Sequence, residues 1–332
     1  MTHEIYFEKG LAFYRIGDYD KAIECYDKAI KLKPDDPEAY FGMAMVYQNG
    51  KQNYDKAIEY YKKTIELDPN DAASYNNMGN SYLHGKQDYN NAMECYIKAI
   101  KIKPDYQSAY YGIGLVFQEV NDYKKAIEYF RKAIEIKPDF VDAYNNMGIS
   151  YSKLKKYDEA IKCYELAIRY KPNFARAYYN MGLDYKEGKR DYNKAIDCYN
   201  KAILYEPNYV DAHFNKGNIY LELKEYDKAI KCFEKEIEIN PKKKDAYFSM
   251  GYAFEELGFA SDKKEFYFQA IKCYEKVVQY QPDFAGAYMN MGLIYVQIGG
   301  NINIRQGIDY IKLASDLGSE EAKQWLRRNL TR

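Results

Sequence analysis

The sequence predicts an all-α fold, a solenoid of helical hairpins stacked in series. Three observations point there. Pro34, Pro69, Pro104, Pro138, Pro172, Pro207, Pro241 and Pro282 fall 35, 35, 34, 34, 35, 34 and 41 residues apart, a period that marks small repeated units rather than one globular core. Within each interval apolar residues recur at helical spacing. No interval contains a convincing strand. Units of this size bury their apolar faces only against their neighbours, which leaves an extended surface built for contact.

The interval from Val141 to Phe174 shows how a unit is made. Tyr144, Met147, Gly148 and Tyr151 recur at i, i+3, i+4, i+7 and predict a first helix. The polar stretch from Lys153 to Tyr157 predicts the turn. Ala160, Ile161, Tyr164, Ala167 and Ile168 form the stripe of a second helix, which Pro172 stops because it lacks an N–H and has a fixed φ. Small Gly148 and Ala160 suggest that the two helices cross closely, since a hairpin can do so only where no bulky side chain intervenes.

These positions recur along the chain. The Gly148 slot holds Gly10, Ala44, Gly79, Gly114, Gly182, Gly217, Gly251 and Gly292, and the aromatic three residues later recurs as Phe13, Tyr47, Tyr82, Phe117, Tyr185, Tyr220, Phe254 and Tyr295. The small residue opening the second helix recurs as Ala22, Ala57, Ala92, Ala126, Ala195, Ala229 and Ala270, with Gly307 the exception. This order of aromatic, Gly, aromatic, Ala, aromatic, Ala, Pro resembles the tetratricopeptide repeat over nearly the whole chain. The resemblance implies a right-handed superhelix of nine units, at about 3–36, 37–71, 72–106, 107–140, 141–174, 175–209, 210–243, 244–284 and 285–318. Without a linker, 1–332 reads as a single domain. A similar period in pentatricopeptide RNA readers comes with a basic groove, which this charge balance does not supply.

The ends and one insertion depart from the pattern. The segment from Ser319 to Leu330 predicts a capping helix, with Ala322, Trp325, Leu326 and Leu330 on one side, early Glu320 and Glu321, and late Arg327 and Arg328. The eighth unit carries seven extra residues before Ala270. About two helical turns could lengthen its second helix without rotating the buried stripe, with Asp262 and Glu265 as a capping box. Phe259, Phe266 and Phe268 would then sit on a protrusion that could dock a partner.

Composition excludes several functions. With 49 basic and 49 acidic residues, no global field favours nucleic acid or an anionic membrane. No stretch approaches the ~20 apolar residues that span a bilayer, and the N-terminus lacks a leader pattern, so a cytoplasmic protein is expected. Cys25, Cys95, Cys163, Cys198, Cys232 and Cys273 each lie three residues after the repeated Ala. Equivalent helices stay ~8–10 Å apart, too far for a disulfide, so these are reduced packing residues. Only three histidines, His3, His84 and His213, are present, and no metal spacing, triad or phosphate loop is found. Gly50-Lys51, Gly85-Lys86 and Gly188-Lys189 lie in turns of the longer repeats, where Gly accommodates one additional residue. No cofactor and no enzymatic activity are expected.

A second first-helix stripe, rotated by about 100° from the packing stripe, is the candidate binding surface. In the resembling family it faces the concave wall. One slot holds Asn77, Asn146, Asn180, Asn215 and Asn290, with Glu8, Gly42, Gly112 and Ser249 in the other units. Side-chain amides both donate and accept, so such a row could pair with the N–H and C=O groups of an extended peptide. The row resembles that in the repeat domain of O-linked N-acetylglucosamine transferases. The neighbouring slot holds Phe7, Phe41, Asn76, Tyr111, Asn145, Tyr179, Phe214, Phe248 and Met289, and aromatics there suggest contact surface.

On the same wall Glu38, Glu119, Asp142, Glu187, Asp211, Glu222, Asp245, Glu255 and Glu256 outnumber Arg15, Lys153, Arg176 and Lys186, favouring a basic partner. The repeat clamps that hold chaperone C-terminal tails carry Lys beside the anchor aromatic, and no unit has it. The seventh unit is unusual, because His213, Lys216 and Glu236 replace apolar or small residues, and Lys216 is expected to pair with Glu236. The expected function is a non-enzymatic adaptor holding an extended peptide or disordered segment in its groove. The alternative is an oligomerisation scaffold docking through its edges and the 259–268 insertion.

Overall fold

The computed structural model describes residues 2–330; Met1, Thr331 and Arg332, which the sequence-based span includes, lie outside them. Among the described residues the regular elements are all helical. Contacts divide the chain into two compact units, 1–172 and 173–332. Each is a run of helical hairpins in series.

The first unit holds five hairpins. They are α1 (His3–Arg15) with α2 (Tyr19–Leu32), α3 (Pro37–Met45) with α4 (Tyr54–Leu67), α5 (Ala72–Asn80) with α6 (Tyr89–Ile102), α7 (Gln107–Glu119) with α8 (Tyr123–Ile136), and α9 (Val141–Lys153) with α10 (Tyr157–Tyr170). The second unit holds α11 (Ala175–Asp184) with α12 (Tyr192–Tyr205), α13 (Val210–Glu222) with α14 (Tyr226–Ile239), α15 (Lys244–Ser261) with α16 (Lys264–Tyr280), and α17 (Ala285–Ile298) with α18 (Asn301–Asp316). The last helix, α19 (Glu320–Leu330), has Trp325 and Leu326 packed on Met289, Ile311, Ala314 and Ala322. Among the described residues no helix is long and apolar enough to cross a membrane.

Local chemistry sets the boundaries. Asp18, Asn53, Asp88, Asp122 and Asp191 each accept a hydrogen bond from the backbone N–H three residues on and so start the second helix. At the other end Lys33, ahead of Pro34, sits at φ −144°, outside the helical region that a following proline disfavours. The three longer repeats absorb their additional residue as a π-helical last turn of the first helix, at Val46–Gly50, Ser81–Lys86 and Tyr185–Lys189. Glycine is needed in that turn because a Cβ on Gly50 or Gly85 would lie 2.5 or 2.1 Å from the Tyr19 or Tyr54 ring. Lys51 and Lys86 then pair with Asp20 and Asp55 of the preceding hairpin, at 2.7 and 2.6 Å.

Most interhelical turns carry one left-handed residue, and Lys155 and Lys224 occupy that place at φ 59° and 58°. An L-residue there costs about 1–2 kcal/mol, partly offset for glycine by its greater unfolded-state entropy. Lys155→Gly and Lys224→Gly are each expected to stabilise the fold by about 0.5–1 kcal/mol. A higher chemical-denaturation midpoint for both variants checks this.

The recurring glycine has a different role from the one its spacing suggested. A Cβ on Gly148 would fall 2.5 Å from the Tyr164 ring, and the same holds for Gly114 against Phe130 and Gly182 against Tyr199, at 2.5 and 2.7 Å. In these hairpins the glycine makes room for a buried ring from the second helix rather than for a bare backbone crossing. In the α17–α18 hairpin, where Ile311 stands in the ring position, backbone lies against backbone. There a Cβ on Gly292 would be 2.8 Å from the Gly307 carbonyl oxygen.

Two other expectations are corrected. Asp262 is left-handed at φ 54° and ends α15, while Lys263 precedes α16 and no side chain caps it. The insertion therefore lengthens both helices, to 18 and 17 residues, and the hairpin grows taller by about one turn. Lys216 does not pair with Glu236: its ammonium donates to Asn200 at 3.1 Å, and the cation acting on Glu236 is Lys243.

Candidate protein-binding site

Within each unit, asparagines of this slot are held by the stacking of the hairpins. The Asn146 amide on α9 donates to the Tyr111 hydroxyl of the preceding hairpin at 2.7 Å and to the Asp142 carbonyl at 3.1 Å. In the second unit the Asn215 amide does the same with the Tyr179 hydroxyl at 3.0 Å and the Asp211 carbonyl at 2.9 Å. The Asn290 amide donates to the Tyr274 hydroxyl at 3.1 Å. Asn77 interacts with the Tyr61 hydroxyl and lies 3.7 Å from the Met45 sulfur. Asn180 is half-buried on α11.

At Asn77, Asn146, Asn215 and Asn290 the preceding hairpin offers a tyrosine hydroxyl to the asparagine. In the second unit Ser249 takes the slot after a hairpin whose rings are Phe214 and Phe233, which offer none. Gly42 and Gly112 take it where the Tyr26 or Tyr96 ring lies so close that a Cβ would meet it at 2.6 or 2.5 Å. With both amide protons engaged at Asn146 and Asn215, the side-chain oxygen is what these residues present as an acceptor.

The neighbouring aromatic slot is divided. Tyr111, Tyr179, Phe214 and Phe248 are half-buried, each against the buried ring of its own second helix, with centroids 5.6, 5.9, 5.9 and 5.5 Å apart. Asn76, Asn145 and Met289 are buried, so in this conformation they do not reach the surface. Asn76 donates to the Asn77 side-chain oxygen at 3.3 Å.

A third set of rings was not singled out from the sequence, although its spacing is regular. Two residues after the periodic prolines stand Tyr106, Phe140, Phe174, Tyr209 and Phe284, with Asp36, Asp71 and Lys243 in the other units. Phe140 packs on Tyr111, Tyr209 on Tyr179 and Phe284 on Phe248, at 4.9, 5.0 and 5.2 Å between centroids. Each ring closes the space over the first-helix ring of the preceding hairpin. Where Lys243 replaces the ring, its ammonium lies 5.5 Å from the Phe214 centroid and 3.5 Å from Asp211.

Several of the acids are already engaged. Glu222 accepts from the Tyr192 hydroxyl at 2.6 Å and lies 3.4 Å from Lys186, and Glu256 accepts from the Tyr226 hydroxyl at 3.0 Å. Glu255 is buried and accepts from the Tyr274 hydroxyl at 2.8 Å. Burial pushes its carboxyl up to about 7, against the pull of that hydrogen bond.

The rest of the candidate chemistry is structural. The six cysteines are buried free thiols, and burial pushes Cys95, Cys163, Cys198 and Cys273 up to about 12, far from the thiolate a nucleophile needs. His213 is buried with Nε2 3.1 Å from the Pro207 carbonyl, and burial lowers its pKa. Among the described residues no group of three or more His, Cys, Asp or Glu could hold a metal ion. Phe259 and Phe268 on the taller hairpin are 52 % and 49 % exposed, whereas Phe266 is half-buried against Phe254 at 6.4 Å.

Comparison with known proteins gives the same repeat. The TPR repeat model matches residues 4–50, 51–85, 83–121, 189–224 and 265–299, and the tetratricopeptide repeat model matches 108–140, 141–174 and 210–243. The Sel1 repeat model matches 285–319, the hairpin in which the Gly307 and Ile311 exceptions fall. The TPR repeat-containing protein MJ1428 of Methanocaldococcus jannaschii is 52% identical over 42 residues, which is 13% of this chain and 7% of that protein. The solved structure of Pseudomonas aeruginosa pilF shares the fold, with a TM-score of 0.54 at 22% identity over 62% of this chain and 92% of that one. The crystal structure of the MamA protein aligns with a TM-score of 0.45 at 31% identity, over 52% of this chain and 94% of its own. With helical hairpins in both units and repeat models covering most of their length, the chain belongs to the tetratricopeptide repeat family, whose repeats bind proteins or peptides.

Proposed function

We propose that the chain is a non-enzymatic adaptor that holds an extended or disordered segment of a partner protein along its first-helix face. The observation that carries this reading is the bonding of Asn146 and Asn215. Their amide protons are spent on the tyrosine hydroxyl and the helix's own carbonyl, so their oxygens stand as acceptors beside half-buried rings. Such acceptors suit the N–H groups of an extended backbone and the ammonium or guanidinium of a basic side chain. Glu38, Glu119 and Asp142 on the same faces favour the same partner, and Lys243 takes up much of the charge of Asp211.

The acceptors have a supporting part in the affinity. A hydrogen bond nets ~1 kcal/mol, whereas micromolar binding needs about 8 kcal/mol. Apolar contact on the rings has to provide the larger share.

Peptides selected from a random dodecamer library on the intact chain test the reading. The triple variant Asn146→Ala, Asn180→Ala, Asn215→Ala is expected to bind them roughly a hundredfold more weakly. Because two of these residues also bond to the preceding hairpin, Tyr111→Phe with Tyr179→Phe serves as the control. It breaks the same bonds between hairpins, leaves the amides in place, and should keep the affinity. Equal affinity for the triple variant and the wild type would remove the acceptor row from the function.

A further inference from the structure

We propose that the first three hairpins form a pocket for one bulky apolar side chain of the bound segment, set beside a basic residue. This rests on the reading of the first-helix face as the binding surface and names what the segment must carry.

A half-open cavity of about 510 Å³ lies between α1, α3 and the start of α5. Its floor is apolar, with Phe7, Leu11, Phe41 and Met45, while Glu38, Asp68 and Asp71 supply the charge and no basic residue lines it. Its origin is legible in the repeat. The residue two after the periodic proline is a ring in most units, and in three observed pairs that ring packs 4.9–5.2 Å from the first-helix ring of the preceding hairpin. In the first three hairpins the same position is Asp36 and then Asp71, so no ring from that position covers Phe7 or Phe41, which pack on Tyr26 and Tyr61 of their own second helices at 5.8 Å each.

The protein thus displays the occupant's chemistry in its own structure. Phe140 on Tyr111, Tyr209 on Tyr179 and Phe284 on Phe248 show what fits against such a ring. Asp71 is held in place by accepting from the Ala73 and Ser74 amides at 3.0 and 3.2 Å, and Asp68 by accepting from the Asn70 amide at 3.0 Å. Three carboxylates around an apolar floor in a chain of zero net charge select a cation flanking the inserted ring. Thr64, in place of the alanine found at Ala29 and Ala99, also lines the cavity.

The test uses the full chain and three fluorescein-labelled Gly/Ser decapeptides, with central Arg-Phe-Arg, Arg-Gly-Arg or Glu-Phe-Glu, read by fluorescence anisotropy. The Arg-Phe-Arg peptide should bind roughly tenfold or more tightly than Arg-Gly-Arg, as burial of one ring implies, and more tightly than Glu-Phe-Glu, whose charges the three carboxylates repel. Asp71→Phe, which supplies the ring the other repeats carry, should abolish that preference. Asp71→Asn keeps an oxygen for the cap and should keep the preference for the ring while weakening that for arginine. Thermal midpoints of both variants close to wild type establish that the hairpins still fold.

A preference that survives Asp71→Phe overturns the pocket and leaves the first-helix face as the binding surface. No binding of these peptides, with library-selected peptides still bound and their affinity unchanged by Asp71→Phe, overturns it in the same way. Failure of the library peptides as well overturns both readings. Self-association of the wild type that Asp71→Phe removes would make a second copy the occupant and also overturn the proposal.

Discussion

Replacing Glu236 by alanine is expected to stabilise the protein at pH 8 by on the order of 3 kcal/mol, and by much less at pH 5. The corresponding position is alanine at Ala29, Ala99, Ala133, Ala167 and Ala202, all fully buried. Glu236 is equally buried, and both carboxyl oxygens are shut off from water. Burial pushes its carboxyl from 4.5 up to about 7; Lys243 and the Phe214 backbone N–H oppose the shift and Asp211 adds to it. A pKa raised by folding means that the folded state holds the proton more tightly than the unfolded chain. The stability associated with that proton is present below about 4.5 and is lost as pH rises through 7. Alanine has no such loss, so the two melting curves should diverge across that window and run parallel above it. Thermal melts of both proteins at pH 5, 6, 7 and 8 read this directly. A constant offset between them would show that Glu236 does not titrate in the folded protein. Glu255, also raised to about 7, gives both proteins some pH dependence, so the difference between them is the quantity that counts.

A second alanine restoration should act in the opposite direction. Alanine opens the second helix in the other hairpins, so a repeat consensus favours Gly307→Ala. The structure predicts destabilisation by about 1–3 kcal/mol, the usual cost of forcing extra volume into a packed crossing. A Cβ at position 307 would lie 2.7 Å from the Gly292 carbonyl oxygen, 3.0 Å from the Val296 amide nitrogen and 2.9 Å from a Val296 methyl. Two of these are backbone atoms, which cannot turn aside as a side chain would. The effect should be local, lowering protection of α17, α18 and α19 in hydrogen exchange while the first unit keeps its own. Helix propensity alone would favour the alanine by about 1 kcal/mol, so a rise in stability would show that α17 and α18 can move apart at little cost.

These two substitutions separate what repetition can specify from what it cannot. The period, the hairpin in each unit, the close of the second helices and the terminal helix were legible because each depends on local chemistry: apolar spacing, proline at a helix close, and acidic then basic residues along the terminal helix. The additional residue of the longer repeats was legible from proline spacing and glycine, though not its resolution into a π-helical turn. The asparagine row was legible as a pattern, but its bonding was not. The partner of Asn146 is Tyr111, 35 positions earlier, and only stacked hairpins bring such residues together. For the same reason the buried Asn76 and Asn145 and the half-buried Tyr111 shared one sequence slot without sharing an environment. The rings at Phe140, Tyr209 and Phe284 were regular enough to find, and what hid them was their place outside the helical stripe.

The sequence by itself determined that this chain is a tandem array of helical hairpins, because every rule that makes a hairpin acts within about 35 residues. Only the tertiary structure decided how neighbouring hairpins meet: which rings are covered, which amide protons are spent, where two backbones touch, and where Asp71 leaves an apolar floor open. Those outcomes depend on atoms brought within a few ångströms across a repeat boundary, where short-range repulsion and burial change steeply with distances that spacing along the chain does not specify.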